Sequence, residues 1–577
     1  MRTLLTTLHS KFIHPSLALP CLAAYCGEDC GEILIHEFTV HEPKENVLAR
    51  IMACQPDVVA FSVYIWNRRE TFELVDALAI VRPEIRLVLG GPEMSFEGSD
   101  LFNTLPAAAL ICGEGEIPLR KILYAWNRGE TLQAAQGIRF AGSQQQENTT
   151  CLLDNLDDIP SPFSAGLVDM KRGFVYYETS RGCPYRCSFC MSSLDDKVRS
   201  FSMARIKADL KLLMDSQVRQ IKLVDRTFNY KAARSREIFR FILEHNISSR
   251  FHFEIGAHLL DELTLDLLEN VPAGMFQFEI GVQSTVPETL QNIERSVSME
   301  RLAENVKRLR KRGNIHLHLD LIAGLPGESC LQICKSLDWT AELNPHHLQL
   351  ELVKLLPGAP LRNRADELKI RFDPNPPYSV LQTSLLSFEE LERLRGIGRL
   401  VDLLWNSEKF KFLLQALRQE AGSFSRVFEP LQNFWTARGY FDQPLSLRNV
   451  FSGLYRYLQE AFEGKQKDIL NESLARDFAH SERIVPNSAP GYFNTDLTDS
   501  EQDAVRERVR DEVNKMRGVG GKLQHFAAVF ECVPGTDGRA VLLFLYLTKS
   551  GEPMQVKEVI MQLQQEAGCS SQPPAES

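Results

Sequence analysis

Strict alternation of polar and apolar residues marks the middle of the chain. Residues 251–258 and 276–283 alternate in this way, and residues 315–324 and 347–352 repeat the pattern. Because successive side chains of a strand point to opposite faces, each segment has one polar and one apolar face. Helical segments separate the strands, and parallel βα sheets are usually covered on both faces. We predict a partial TIM-type (βα)6 barrel with a polar lumen over residues 170–375; an open sheet with one wet face is the alternative.

The polar residues of this predicted lumen are candidates for substrate contact or proton transfer. A buried lone carboxylate is costly, so the acids have the better functional chance. Each histidine taken singly is favoured as a satisfied structural residue. The acids are Glu254 and Glu351, and the histidines are His252, His258, His316 and His318.

The first part of the chain, residues 1–145, alternates short apolar runs with helix-like segments. Such alternation indicates βαβ units in a doubly wound, Rossmann-like parallel sheet, so the fold class is α/β. Ligands of such sheets bind beyond the carboxyl ends of the strands. Glycines at two of these ends would let a large ligand approach the backbone, although ordinary turns explain them equally well.

Two further segments complete the predicted organisation. The stretch 146–169, which carries proline and polar residues, is predicted to link the first domain to the barrel. Residues 376–577 show helical periodicity and a hairpin signal. They are predicted to form a mainly helical domain with a β-hairpin near residues 523–547.

Composition narrows the class of protein. The 577 residues are 44% hydrophobic and 24% charged, as in ordinary soluble globular proteins. No run of about 18 apolar residues and no signal-peptide profile occurs, so neither membrane nor secretion is predicted. The net charge of −10 makes a nucleic-acid partner unlikely on electrostatic grounds. Thirteen cysteines without a secretory signal fit a reducing cytoplasm.

A three-cysteine loop carries the strongest chemical signal. Cys183, Cys187 and Cys190 lie in a segment with Gly182 and Pro184, which indicates a loop rather than core packing. Thiolates at such short spacings hold iron–sulfur clusters, and three ligands would leave one iron of a four-iron cluster open. A zinc site commonly takes a fourth ligand from a second cysteine pair, and none lies nearby. Structural zinc and free thiols are the alternatives.

With Phe189 directly before the third cysteine, the loop resembles that of the radical S-adenosyl-L-methionine (SAM) superfamily. The resemblance implies that Cys183, Cys187 and Cys190 are catalytic and bind a 4Fe-4S cluster. The open iron would chelate SAM, and an electron from the cluster would cleave SAM to a 5′-deoxyadenosyl radical. Barrel segments extend the resemblance to other SAM contacts, which are Asp225 after the second strand, Glu279 and Gln283 on the fourth, and Ile322 against adenine on the fifth.

Placed before this loop, residues 1–145 resemble the cobalamin-binding domain of cobalamin-dependent radical SAM proteins. The Asp-x-His-x-x-Gly motif of cobalamin methyltransferases outside the superfamily is absent, so no histidine ligand to cobalt is assigned. The C-terminal domain resembles the uncharacterised extension found behind some of these proteins. The predicted cobalamin contacts are Ser62, Tyr64, Gly90, Gly91, Glu93, Gly113, Glu114, Gly115 and Glu116.

The resemblance implies a cobalamin-dependent radical SAM enzyme that transfers a methyl group to an unactivated carbon. A rearrangement, cyclisation or oxidation without methyl transfer is one alternative, and a non-catalytic cobalamin or iron–sulfur sensor is another. The implied partners are a small-molecule or peptide substrate of unknown identity and a reductant such as flavodoxin or ferredoxin.

Overall fold

A computed structural model describes most of the chain and divides it into two compact units, Met1–Arg395 and Gly396–Ser577. Residues 146–149 of the predicted linker and 563–577 of the predicted C-terminal domain lie outside the described residues. The described residues are 1–11, 14–97, 100–132, 135–141, 150–195, 197–485, 488–515, 521–534, 536, 538–549, 551 and 553–562.

The N-terminal part of the first unit is a six-stranded sheet flanked by helices. Its strands are β1 (Arg2–His9), β2 (Glu32–Thr39), β3 (Val58–Ser62), β4 (Arg86–Gly90), β5 (Ala109–Ile111) and β6 (Ile138–Phe140). Its helices are α1 (Ala18–Cys26), α2 (Lys44–Ala53), α3 (Arg68–Val81), α4 (Leu101–Thr104) and α5 (Glu116–Asn127). The strand order is β2-β1-β3-β4-β5-β6, parallel except for the β5–β6 pair.

Neighbouring residues of β1 show why helices must cover both faces of this sheet. Leu4 belongs to one buried apolar cluster with Val47 of α2 and residues of α3. Leu5 belongs to a second buried cluster with Ile122 of α5 and residues of α1. Alternate side chains of a strand therefore enter separate cores. The prediction of a doubly wound, Rossmann-like α/β domain is confirmed.

The second part of this unit is a six-stranded, all-parallel sheet in the order β14-β13-β12-β11-β10-β7. Its strands are β7 (Val175–Tyr177), β10 (Gln220–Leu223), β11 (Arg250–Glu254), β12 (Phe276–Gln283), β13 (His316–Ala323) and β14 (His347–Leu352). Two short antiparallel pairs accompany it, namely β8 (Ser180–Arg181) with β9 (Arg199–Ser200), and β15 (Arg371–Phe372) with β16 (Val380–Gln382).

Helices follow the barrel strands in turn and cover their apolar face. They are α6 (Met203–Asp215), α7 (Ala232–His245), α8 (Glu262–Leu268), α9 (Pro287–Asn292), α10 (Met299–Arg312), α11 (Cys330–Glu342) and α12 (Pro360–Asn363). Along β12 and β13 every second residue is buried and the others are partly exposed. Phe239 of α7 packs on Phe253, Phe276 and Phe278 of the sheet. The predicted partial (βα)6 barrel is confirmed, because sequential parallel strands carry one polar and one helix-covered face.

The second unit is mainly helical, as predicted, and begins within α13 (Phe388–Leu400), which continues as a π-helical segment, Val401–Asn406. Its other helices are α14 (Lys411–Ala421), α15 (Phe424–Ala437), α16 (Leu447–Ala461), α17 (Gly464–Ser481) and α18 (Asp499–Lys515). An antiparallel sheet follows, β17 (Lys522–Phe530), β18 (Ala540–Thr548) and β19 (Gln555–Met561). Within the described ranges, no helix has the length and apolar character needed to cross a membrane.

Gly91 follows β4 in a conformation that a larger residue could not share. Its φ is +101°, and a Cβ atom there would lie 2.6 Å from the carbonyl oxygen of Val63 and 2.8 Å from its nitrogen. We expect Gly91→Ala to lower the free energy of unfolding by about 2 kcal/mol or more, through steric overlap and backbone strain. Gly173→Ala is the matched control, because nothing lies within 4 Å of its Cβ position. Equal urea midpoints for both variants would contradict this explanation.

Candidate active site

The three-cysteine loop leaves the barrel after β7 and is closed at its base by β8 and β9. Ser180 pairs with Ser200 and Arg181 with Arg199 in antiparallel register. We call these two strands the neck of the loop. All three cysteines follow β8 within ten residues, so the neck fixes where the loop begins and ends.

Backbone hydrogen bonds hold the far side of the loop against the barrel. The amide of Ser188 donates to the carbonyl of Ile293 at 2.9 Å, and the amide of Leu361 donates to the carbonyl of Ser188 at 2.7 Å. The hydroxyl of Tyr185 lies 2.7 Å from Nε2 of His258. Burial lowers the pKa of His258 to about 4, so this histidine is neutral at physiological pH. The predicted lumen residue His258 is therefore engaged by the loop itself.

The three thiols differ in their surroundings. Cys187 is buried, while Cys183 and Cys190 are partly exposed. The Arg295 guanidinium donates to Sγ of Cys187 at 3.5 Å, and Cys183 Sγ lies 3.5 Å from the Thr227 hydroxyl. Burial raises the pKa of the Cys187 thiol, and Arg295 opposes that rise.

This donor set suits a cluster, since cluster ligation requires thiolates and a nearby cation favours thiolate. Across the described residues, no three His, Cys, Asp or Glu side chains converge closely enough to hold a single metal ion. Arg295 had no signal in the sequence. It follows α9, and its guanidinium also donates to the carbonyl of Gly281 at 2.5 Å on β12.

Asp225, predicted to contact SAM, is engaged by the chain that leads into the cysteine loop. Its side chain is fully buried, and its carboxylate accepts hydrogen bonds from the Thr179 amide (3.0 Å), the Thr179 hydroxyl (2.5 Å) and the Ser180 hydroxyl (2.5 Å). Burial raises the pKa of this carboxyl, and the hydrogen bonds from Ser180 and Thr179 oppose that rise. The carboxylate is thus occupied by the neck of the cysteine loop.

The polar face of the barrel carries a network centred on Glu279. His252 Nε2 lies 3.0 Å from its carboxylate, and His318 Nδ1 lies 3.8 Å from it. The hydrogen bond with His252 lowers the pKa of Glu279 against the effect of burial. His318 also lies 3.1 Å from Gln349. These histidines have protein partners, as the structural interpretation predicts.

Gln283 and Ile322 keep features expected of ligand-contacting residues. Gln283 has φ +69°, at a register shift between β12 and β13. Its Oε1 is buried without a hydrogen-bond partner among the described residues. Its amide lies over Gly281, where a Cβ atom would collide with Nε2. Ile322 is partly buried on β13 opposite Glu351 of β14. An orphaned buried acceptor beside a partly open strand end fits a ligand that donates a hydrogen bond.

Glu254 at the end of β11 is an acid of the lumen that the protein leaves unpaired. Within the described ranges its carboxylate has neither a hydrogen bond nor an ion pair. Burial raises its pKa to about 7, with Arg226 acting in the opposite direction and Glu279, Asp320 and Asp225 adding to the rise. It can therefore gain or lose a proton near neutral pH, or accept a hydrogen bond from a ligand.

The strand ends of the N-terminal sheet place the predicted cobalamin contacts along one edge. Ser62 is buried at the end of β3, and its carbonyl accepts a hydrogen bond from Thr7 at 2.8 Å. Tyr64 stacks on Trp66 with ring centroids 4.5 Å apart. Trp66 is 43% exposed, an unusual exposure for tryptophan, and the sequence interpretation did not include it.

Protein packing explains three of the four glycines at these strand ends. Gly91 lies against the backbone of Val63, as described above, and a Cβ atom would collide with Thr150 at Gly113 (2.8 Å) and with Leu22 at Gly115 (2.9 Å). At Gly90 a Cβ atom would make only an ordinary contact with Ile111, at 3.4 Å. Contact of these glycines with cobalamin stays a prediction.

Three glutamates predicted to contact cobalamin are engaged by other parts of the same unit. Glu93 is buried and accepts a hydrogen bond from the Tyr378 hydroxyl at 2.6 Å. Glu114 and Glu116 accept from arginines of the neck. A direct contact of these carboxylates with cobalamin stays a prediction, and the structure gives each a protein partner instead.

Three family models match successive parts of the chain. The B12 binding domain matches residues 4–123, the radical SAM superfamily matches residues 177–339, and a protein of unknown function, DUF4080, matches residues 366–527. The sheet domain and the barrel with its cysteine loop thus match the B12 binding domain and the radical SAM superfamily in that order along the chain. The resemblance stated from the sequence, including the uncharacterised C-terminal extension, is confirmed.

Two named methyltransferases are similar to about two thirds of this chain. The cobalamin-dependent radical SAM methyltransferase TokK of Streptomyces tokunonensis is 25% identical over 435 residues, covering 67% of this chain and 62% of that protein. The 2-(S-pantetheinyl)-carbapenam-3-carboxylate methyltransferase of Streptantibioticus cattleyicolor is 25% identical over 439 residues, covering 66% of this chain and 62% of that protein. The chain thus spans about three fifths of the length of these two relatives.

Solved structures share the fold. The cobalamin-dependent S-adenosylmethionine radical enzyme OxsB, with aqua-cobalamin bound, has a TM-score of 0.58 and 17% identity and covers 90% of this chain and 81% of its own. The radical SAM methyltransferase TsrM from Kitasatospora setae, with cobalamin and a 4Fe-4S cluster bound, has a TM-score of 0.53 and 18% identity. It covers 65% of this chain and 78% of its own.

The unpaired Glu254 carboxyl should make stability depend on pH. Because its folded pKa of about 7 lies above the ordinary glutamate value of 4.5, the folded state holds this proton more tightly than the unfolded state. Its contribution is fully present below about pH 4.5 and is lost as the pH rises through 7. Between pH 5 and pH 8 we expect the wild type to lose roughly 1–3 kcal/mol more unfolding free energy than Glu254→Gln.

Urea unfolding of the apoprotein across this pH range measures the difference. Glu304→Gln is the matched control, because Glu304 is exposed on α10. Parallel stability curves for the wild type and Glu254→Gln would show that the Glu254 carboxyl titrates as an ordinary exposed acid.

Proposed function

We propose that the chain is a cobalamin-dependent radical SAM enzyme that transfers a methyl group to an unactivated carbon. The observation that carries this proposal is the placement, in one compact unit, of a three-thiol loop over a polar-lined (βα)6 sheet beside a B12-binding domain. TokK and the carbapenam methyltransferase, both called methyltransferases, support methyl transfer over a rearrangement or a sensor. The substrate is not identified.

In this proposal the cysteine loop and the barrel divide the work. Cys183, Cys187 and Cys190 would hold a 4Fe-4S cluster, Phe189 directly before the third cysteine would contact a cofactor, and Arg295 would stabilise the thiolate of Cys187. When bound, the cluster supplies the electron that cleaves SAM to a 5′-deoxyadenosyl radical, and cobalamin supplies the methyl group.

The lumen residues orient the organic ligands. Glu279 is held by His252, so its carboxylate is preorganised to accept from SAM. Gln283 offers an unpaired oxygen, and Ile322 offers an apolar surface for adenine. Glu254 remains available to bind or exchange a proton with a substrate. Asp225 fixes the neck of the cysteine loop and would therefore affect SAM through the position of that loop.

The domain boundaries belong to the same proposal. We assign residues 1–145 to cobalamin binding, 146–169 to a linker, 170–375 to the barrel and 376–577 to the extension. The edge formed by Ser62, Tyr64, Gly90, Gly91 and Gly113 would face the corrin, with the exposed Trp66, on which Tyr64 stacks, beside it. A small one-electron donor such as flavodoxin or ferredoxin would reduce the cluster. The free thiols of the described cysteines are consistent with the cytoplasm.

Removing a cluster ligand should abolish radical formation. After anaerobic reconstitution and reduction, the wild type should release 5′-deoxyadenosine from SAM. Cys183→Ala, Cys187→Ala and Cys190→Ala should lose both the cluster absorbance and this product, because the iron loses one of three thiolates. Cys54→Ala is the matched control, since Cys54 is a partly exposed thiol of the N-terminal sheet domain. Deoxyadenosine release by the three variants would refute the cluster assignment.

Cobalamin binding and methyl labelling separate methyl transfer from its alternatives. Protein purified anaerobically with cobalamin supplied should retain cobalamin near one equivalent, measured by absorbance. Methyl-labelled SAM should then label the bound cobalamin. A chain that cleaves SAM but retains no cobalamin under saturating conditions would exclude methyl transfer and favour other radical chemistry. A chain that binds both cofactors but releases no deoxyadenosine would favour a sensor.

A further inference from the structure

Arg181 connects the neck of the cysteine loop to the B12-binding domain. It lies two residues before Cys183, and its side chain is 16% exposed. Its Nη2 lies 2.7 Å from Glu116 Oε1 and 2.7 Å from Glu178 Oε1, and its Nη1 lies 3.3 Å from Glu114 Oε1. One guanidinium therefore gathers two carboxylates of the N-terminal domain and one of the barrel.

Arg199, the residue paired with Arg181 across the neck, reaches the same segment. Its two terminal nitrogens lie 2.9 Å and 2.8 Å from the two oxygens of Glu114, which is a bidentate pair. Its Nη1 also donates to the Leu153 carbonyl at 2.6 Å, and the Leu153 amide donates to Glu114 at 2.8 Å. The chain that joins the two domains is thus held inside the same network.

The chemistry and the position of these ion pairs both suit a rigid connection between the two domains. Arginine presents a planar fork that can fix carboxylates in both distance and angle. Glu114 and Glu116 directly follow Gly113 at the end of β5, on the strand edge where the proposed function places cobalamin. The two arginines belong to the strands that close the cysteine loop.

We propose that Arg181 and Arg199, with Glu114 and Glu116, form a strut that sets the separation between the cobalamin edge and the cluster loop. This inference rests on the proposed function and names positioning residues for it. One substrate carbon must meet both cofactors, and small misplacements of reacting groups are costly. Glu114 and Glu116 lie within a few residues of the proposed cobalamin edge, and Arg181 lies two residues before Cys183, so the strut joins the two cofactor sites directly.

The test compares Arg181→Gln and Glu116→Gln with the wild type, and Arg181→Lys as the conservative replacement. Arg172→Gln is the matched control, since Arg172 also joins the two domains, with Nη1 2.5 Å from Glu37, but lies outside the cysteine loop. In protein loaded with cob(II)alamin and a one-electron-reduced cluster, the magnetic interaction between the two centres is measured by electron paramagnetic resonance. Cobalamin affinity, cluster iron and cobalamin-free deoxyadenosine release are measured in parallel.

We expect the interaction to weaken and cobalamin affinity to fall about tenfold in Arg181→Gln and Glu116→Gln. Arg181→Lys should recover part of both, and Arg172→Gln should match the wild type. Cluster iron should persist in Glu116→Gln, because Glu116 supplies no thiolate and, among the described residues, reaches the cysteine loop only through the Arg181 guanidinium. An unchanged magnetic interaction together with an unchanged cobalamin affinity in Glu116→Gln would overturn the strut. Loss of the cluster in both Arg181→Gln and Glu116→Gln, with cobalamin affinity unchanged, would overturn it as well. Failure of the wild type to bind cobalamin would instead refute the proposed function.

Discussion

The buried carboxylate of Asp225 ties the three-cysteine loop to the barrel. A buried charge is costly unless hydrogen-bond donors surround it, and here the donors come from Thr179 and Ser180. The neck must therefore lie across the end of β10, two residues from Asp225. Arg234 adds to this attachment, because its Nη2 donates to the Thr179 carbonyl at 2.9 Å. This contact fixes where the loop that carries Cys183, Cys187 and Cys190 leaves the barrel.

Three consecutive residues, Thr179 and the two residues of β8, bind two different domains. Thr179 and Ser180 bind Asp225 of the barrel, whereas Arg181 binds Glu114 and Glu116 of the B12-binding domain. One short segment thus holds two domains at once. The polar groups nearest the cysteines therefore have two structural tasks, to fix the loop on the barrel and to fix the neighbouring domain on the loop.

Period-two patterns and the cysteine spacing could be predicted from the sequence because both are local. Polar and apolar residues alternate along the strands β11 to β14 because helices cover one face of the sheet. The spacing of Cys183, Cys187 and Cys190 is typical of an iron–sulfur cluster site. Long-range partners could not be predicted. A glutamate such as Glu114 or Glu116 looks the same in the sequence whether it contacts a corrin or an arginine. In addition, Arg181 lies 65 residues from Glu116 along the chain, so no local pattern links them. Arg295 was missed because no pattern links it to Cys187, 108 residues away.

Two glutamates of the barrel lumen differ in whether a protein side chain is hydrogen-bonded to their carboxylate. Glu279 is hydrogen-bonded to His252, and that bond keeps it ionised against the cost of burial. Glu254, one strand away and opposite it in register, has no such partner in the part of the chain that the structure describes, so burial holds its pKa near neutrality. The protein therefore fixes the charge of one acid and leaves that of the next to its ligands. A ligand group that donates a hydrogen bond would supply what the fold withholds from Glu254.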